Sequence, residues 1–165
     1  MVPRLILSCF GAGFIPWAPG TVGSGVALAA YLMLRAATGG WATAVACGVL
    51  SVLCGALTVG LVPSVVRDEA AKGAGAGSAD PQFVVTDEMS GMFLALALAP
   101  GAPTWLAGGA GFCLFRLLDI TKPMGIRRLE RLRLGWGVLA DDVAAGALTG
   151  AGLNLASALW TAAGA

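Results

Sequence analysis

The stretch 89-MSGMFLALALAPGAPTWLAGGAGFCLF-115 carries no charge over 27 residues, and how it is read decides the fold. Taken as one span, it would carry Arg116, Lys122, Arg127, Arg128, Arg131 and Arg133 to the opposite side of a membrane from Arg67 and Lys72. Taken as a hairpin of two short helices broken at Pro100-Gly101-Ala102-Pro103, it leaves all of these basic residues and Arg4 on one face, with only Arg35 on the other. The second arrangement obeys the bias of basic residues toward the cytoplasm, and the hairpin is therefore predicted.

The same reading extends along the chain. Three further stretches, 5–34, 36–66 and 143–165, contain no formal charge. About 20 apolar residues suffice to cross a hydrocarbon core of about 30 Å. Each stretch can hold a crossing. With 58% apolar residues and only ten basic and nine acidic ones in 165, the chain is expected to be a single membrane-embedded domain, 1–165. Met1 to Pro16 offers one arginine, a short apolar run and no small-residue cleavage site, so a secretory signal is not expected. Glycine and proline divide the chain into helices at about 23–38, 41–66, 86–100, 103–119 and 138–162. The expected fold is all-α: a polytopic membrane bundle of about five hydrophobic helices, some short or re-entrant, plus a basic amphipathic helix at the interface. The small-residue runs 107-AGGAG-111 and 144-AAGALTGAG-152 read as packing faces that let helix backbones approach. They permit a homodimer without requiring one.

Composition excludes several chemistries. There is no histidine, so neither a histidine base nor an imidazole metal ligand is available. Cys9, Cys47, Cys54 and Cys113 lie in apolar surroundings without CxxC spacing, which argues for packing rather than a disulfide framework or zinc site. None has an arginine six positions on, as a cysteine-phosphatase loop needs. An Asp-x-Asp pair is absent, and so is the long spaced run of the CDP-alcohol transferases.

The hairpin has a consequence for the acids. Asp87 and Glu88 open the third helix, Asp119 closes the fourth, and Asp141 and Asp142 open the fifth, so all five reach the same face. Either adjacent pair alone could serve only to complement a helix dipole. Five carboxylates at one level repel one another, and a hard divalent cation is the economical compensator: Mg²⁺ takes oxygen ligands from carboxylates, water and phosphate. Basic residues are interleaved with the acids in 116-RLLDITKPMGIRRLERLRLGWGVLADD-142, where Ile126, Leu129 and Leu132 oppose arginines in the pattern of a headgroup-level helix. Such a segment attracts anionic lipid; nucleic acid is not an expected partner. Arg116 and Lys122 bracket Asp119, and Arg127 follows, as candidate phosphate contacts. The segment 16-PWAPGTVGS-24 adds Thr21 and Ser24 at a helix N-terminus, where backbone N–H groups favour an anion. Capping would explain these hydroxyls equally well. Together the residues describe metal-assisted phosphoryl chemistry on a lipid. The competing class is a small ion or metal transporter using the same carboxylates, although the helix middles carry none to continue a path.

PGTVGS at 19–24, TDEMSG at 86–91, FRLLDITKP at 115–123 and GWGVLADDVAAG at 135–146 resemble, in order, the signature blocks of the phosphatidylglycerophosphatase A family. The resemblance implies a Mg²⁺-dependent, multi-pass enzyme of the bacterial inner membrane, with its site on the cytoplasmic side. It would hydrolyse the terminal phosphate monoester of phosphatidylglycerophosphate. Position by position it implies Asp87, Glu88, Asp119, Asp141 and Asp142 as the catalytic and metal-holding acids, with Thr21, Ser24, Arg116 and Lys122 as companions.

Overall fold

The computed structural model describes residues 1–71, 81–123, 126, 129, 132 and 135–162. A short helix α1, Val2–Leu7, and a single 3-10 turn at Ala12–Phe14 precede the main bundle. This consists of α2 (Pro19–Ala37), α3 (Gly40–Ala71), α4 (Thr86–Ala97), α5 (Gly111–Thr121) and α6 (Trp136–Ala162). No strand occurs among the described residues. A π-helical turn, Leu106–Ala110, leads into α5.

Successive helices alternate in direction. The end of the bundle that holds the N-termini of α2, α4 and α6 therefore also holds the C-termini of α3 and α5. The expected hairpin is present: α4 ends at Ala97 and the chain turns through 98–103 before the π turn. Pro19 at the first turn of α2 explains why this helix begins earlier than predicted, since proline costs nothing where its missing N–H would be orphaned anyway. At the other end Arg35 donates to the Thr104 hydroxyl at 3.3 Å, tying the end of α2 to the hairpin.

Three helices, α2, α3 and α6, are long and apolar enough to cross a membrane. At 1.5 Å per residue, α4 rises only about 18 Å and cannot cross alone. Large apolar side chains such as Met33, Val45, Val52, Leu53, Leu155 and Leu159 are exposed, which in water would drive aggregation and in hydrocarbon costs nothing. All five tryptophans are exposed too, and they sort to the two ends: Trp17 and Trp136 beside the helix termini that carry the acids, Trp41, Trp105 and Trp160 at the opposite end. That is where aromatic rings sit at the two boundaries of a hydrocarbon slab.

Inside, Met92, Phe93 and Leu96 of α4 pack with Phe115, Cys47, Cys54 and Leu153, which makes α4 the buried centre of the bundle. Cys47 and Cys54 are core residues as expected; Cys113 is exposed, on the outer face of α5. Apolar burial adds little when the alternative solvent is lipid, so close packing and buried hydrogen bonds must hold the helices together. The hydroxyls supply them: Ser51 donates to the Ser90 carbonyl at 2.9 Å, Ser90 to the Ser51 carbonyl at 2.8 Å, and Thr58 and Thr86 share a 2.7 Å bond. These four residues fasten the first half of α4 to α3.

The short α1 was not anticipated from sequence. Its Arg4 pairs with Glu69 at 3.0 Å and lies over the Phe83 ring, while the Leu7 carbonyl accepts from the Val85 N–H at 2.9 Å. These contacts hold the segment just before α4 in place. The expected basic interfacial helix, including Arg127, Arg128, Arg131 and Arg133, lies mostly outside the described residues.

Candidate functional site

Asp87 and Glu88 occupy the first turn of α4, where the helix dipole favours negative charge by about 0.3–1 kcal/mol. Asp142 lies near the start of α6, on the opposite wall. Oxygens of Asp87, Glu88 and Asp142 lie within 4.8 Å of one another, close enough to grip one cation. Asp87 and Asp142 are each 4% exposed. Glu88 Oε2 and Asp142 Oδ1 are buried without a hydrogen-bond partner in the protein. Such atoms are costly unless something fills the space between them. Burial is the largest influence on Glu88 and raises its carboxyl above the ordinary carboxylate range; Asp119 adds to the rise, while a hydrogen bond with Asp87 and the Arg116 charge oppose it. The chemistry of the trio fits a hard divalent cation, which would hold all three ionised.

The other two acids are engaged differently. Asp119 accepts from Arg116 Nη1 at 2.5 Å, one turn apart on α5, and its carboxyl also touches Asp142. Asp141 forms an ion pair with Lys122. Lys122 is able to reach it because it caps α5 in the left-handed conformation, φ 45°, which turns the chain sharply away from the helix axis. The five carboxylates thus divide into a trio suited to metal and two acids paired with cations, all in one neighbourhood.

Arg116 links this neighbourhood to α2. Its Nη1 lies 3.5 Å from Ser24 Oγ, which itself donates to the Gly20 carbonyl at 2.9 Å, while Arg116 Nε is buried without a protein partner. The first turn of α2 has no side-chain cap, so the N–H groups that follow Pro19 are not taken up by a hydroxyl. Gly20 lets Glu88 and Arg116 approach this turn closely. A Cβ at that position would stand 2.3 Å from Glu88 Oε1 and 3.1 Å from Arg116 Nη1. An open cleft of about 400 Å³ is bounded by Trp17, Gly20, Gln82, Glu88 and Arg116, and it combines a helix N-terminus, a guanidinium and one edge of the acidic trio. Thr21 is exposed, on the same helical turn but outside the acid cluster and not among the residues that bound the cleft.

Sequence reasoning had located the acids, Arg116, Lys122 and Ser24, and the structure brings all of them together. It missed Gln82 and Trp17 as cleft walls, which no spacing rule announces. It also missed the specific use of Gly20, although that glycine stands within the quoted PGTVGS block.

The sequence model of the phosphatidylglycerophosphatase A family matches residues 5–157. A phosphatidylglycerophosphatase A of Escherichia coli strain K12 is 32% identical over 148 residues, covering 88% of this chain and 78% of that protein. One from Haemophilus influenzae is 34% identical over 149 residues, covering 86% and 80%. A protein of Bacteroides thetaiotaomicron that carries the provisional name phosphatidylinositol-3-phosphatase is 37% identical over 150 residues, covering 88% and 87%. No solved structure matches.

Proposed function

The chain belongs to the phosphatidylglycerophosphatase A family, and from that membership we propose that it hydrolyses the terminal phosphate monoester of phosphatidylglycerophosphate in a Mg²⁺-dependent reaction. The single membrane domain, 1–165, would cross the bacterial inner membrane several times and hold its site at the cytoplasmic face. The observation that carries this reading is the trio Asp87, Glu88 and Asp142 beside the uncapped start of α2 and Arg116. Carboxylates alone would repel a phosphate; here they adjoin donors that attract one.

Mg²⁺ would be held by Asp87, Glu88 and Asp142, and when bound it neutralises phosphate charge and makes a coordinated water more acidic. The chain's own groups do the rest. Arg116, fixed by Asp119 and Ser24, lines the cleft and would donate from its guanidinium to a phosphate oxygen. The leading N–H groups of α2 donate to another. Asp119, whose carboxyl adjoins Asp142, would take a proton from the attacking water. A new bond from water oxygen to phosphorus forms as the ester bond breaks, and Asp119 passes its proton to the leaving oxygen, giving inorganic phosphate and the lipid's free glycerol hydroxyl. Lys122 holds Asp141 and closes the cationic side of the site.

The test is phosphate release by the purified protein in detergent micelles, from long-chain phosphatidylglycerophosphate and from phosphatidylinositol 3-phosphate, each with and without Mg²⁺. Release from the first lipid that stops on chelation supports the proposal. Faster release from the inositol lipid would transfer the reading to that substrate, and no release from either would favour the transporter class.

A further inference from the structure

The charged cleft lies at one end of a longer feature. Gly20 and Arg116, which line it, belong to α2 and α5, and the boundary between these antiparallel helices continues away from the acids. A second cavity, of about 800 Å³, opens between α2 and the segment that leads into α5, and is lined by Leu28, Leu32, Thr104, Trp105, Gly108 and Gly109. From Gly20 to Leu28 along α2, or from Arg116 to Gly109 toward the π turn, the rise is about 10–12 Å at 1.5 Å per residue, and Leu32 lies about 18 Å from Gly20. Half of a hydrocarbon core is about 15 Å. The second cavity therefore begins near the bilayer middle at Leu28 and reaches on toward the far boundary at Trp105, within the span of an acyl chain whose headgroup is in the cleft.

At the second cavity the small residues leave room: a Cβ on Gly109 would meet nothing within 4 Å, and one on Gly108 would touch only Leu28 and Leu32. The π turn at Leu106–Ala110 widens the helix on this stretch, as such turns do at functional sites. A different apolar groove, of about 600 Å³, runs between α3, α4 and α6 past Val52, Ala56 and Leu94. It is on the wrong side of α4. Glu88 faces the cleft, whereas Ser90 and Leu94 are roughly 200–240° round the helix from it, so α4 stands between that groove and the headgroup site.

We infer that the boundary between α2 and α5 seats an acyl chain of the lipid substrate, entering sideways from the bilayer with its end in the Leu28–Trp105 cavity. The inference rests on the lipid phosphatase reading for the identity of the headgroup, and it adds a binding site for the apolar part.

The experiment compares hydrolysis of long-chain phosphatidylglycerophosphate with that of its water-soluble deacylated headgroup. Gly109→Phe places a ring in open space within the second cavity. It is expected to lower kcat/KM for the long-chain lipid about tenfold relative to the headgroup, through KM, the loss expected when roughly two methylenes lose their burial. Val52→Phe, in the other groove, is expected to leave that ratio unchanged. Equal losses on both substrates for Gly109→Phe, or a selective loss for Val52→Phe, would overturn the assignment. A readout independent of turnover uses phosphatidylglycerophosphate with a diazirine at the chain end. Crosslinks should map to 28–32 and 104–109, and labelling confined to α3, or equal labelling by phosphatidylcholine bearing the same group, would also overturn it. Should the wild type release phosphate from neither substrate, the phosphatase reading fails while the crosslinks still decide the chain site.

Discussion

Gly146 of α6 packs on the backbone of Gly91 of α4 so closely that a Cβ on Gly146 would stand 2.2 Å from the Gly91 carbonyl oxygen, and a Cβ on Gly91 would stand 2.4 Å from the carbonyl oxygen of Asp142. Phe115 closes the third side of Gly91. The contact is backbone on backbone, so no side-chain rotation can relieve a clash. It fixes how far Asp142 stands from Asp87 and Glu88.

Gly146→Ala is therefore expected to push α6 away from α4. Overpacking of this kind typically costs about 1–3 kcal/mol. Phosphate release should fall by more than the melting temperature in detergent would suggest, because the acidic trio opens even in molecules that stay folded. Gly60→Ala is the contrasting case, since a Cβ there meets nothing and alanine is the better helix former by about 1 kcal/mol. Wild-type turnover in Gly146→Ala would show that the crossing does not set the site.

The acidic trio predicts a trade between stability and activity. With no cation bound, Asp142 is a buried carboxylate with one oxygen unpartnered and other acids against it. Asp142→Asn should abolish phosphate release and at the same time stabilise the metal-free protein by about 1–3 kcal/mol. Added Mg²⁺ should raise the melting temperature of the wild type and not that of the variant. If chelator lowers neither activity nor melting temperature in the wild type, the trio does not hold a metal.

How much of this was legible in the chain depended on the type of signal. Charge-free stretches punctuated by Pro100-Gly101-Ala102-Pro103 and Gly39-Gly40 mark helices and turns, because a buried backbone in lipid must be helical and its breaks must be polar or Gly/Pro-rich. The positions of Asp87, Glu88, Asp119, Asp141 and Asp142 at helix ends then follow from counting. What charge counting does not contain is distance. It grouped five acids together, whereas the structure separates Asp119 and Asp141, which pair with Arg116 and Lys122, from the trio. That division depends on the left-handed cap at Lys122 and on the Gly91–Gly146 crossing, and both are three-dimensional. The α1 helix escaped notice because six residues are too few for an amphipathic period to register.

Arg116 is expected to tolerate no substitution, lysine included. Its forked guanidinium serves Asp119 and Ser24 through Nη1 with further N–H donors left over, an arrangement a single ammonium cannot reproduce. Arg116→Lys should lower kcat/KM by about 10–100-fold, the loss associated with one or two charge-assisted hydrogen bonds. Ser24→Ala removes only a long 3.5 Å contact and a bond to its own helix, and should cost a few-fold at most. Steady-state kinetics on both variants check the order; a Ser24→Ala loss larger than that of Arg116→Lys would assign the phosphate contact to the hydroxyl.

The hairpin itself can be tested without any activity. Gln82 precedes α4, Thr121 ends α5 and Gly39 lies between α2 and α3; all three are exposed. With Cys9 and Cys113 changed to serine and Cys47 and Cys54 left in the core, single cysteines at 39, 82 and 121 report which side each position faces. A membrane-impermeant maleimide applied to intact spheroplasts should modify Gly39→Cys, and should modify Gln82→Cys and Thr121→Cys only after permeabilisation. The reason is energetic. Were α4, the turn and α5 a single crossing, Asp87 and Asp119 would lie on opposite faces. Arg116 would then lose Ser24, and Asp142 could not approach both Asp119 and Glu88. Modification of Thr121→Cys from outside, with Gln82→Cys protected, would separate the acids by a bilayer and leave no common site for a cation and a phosphate.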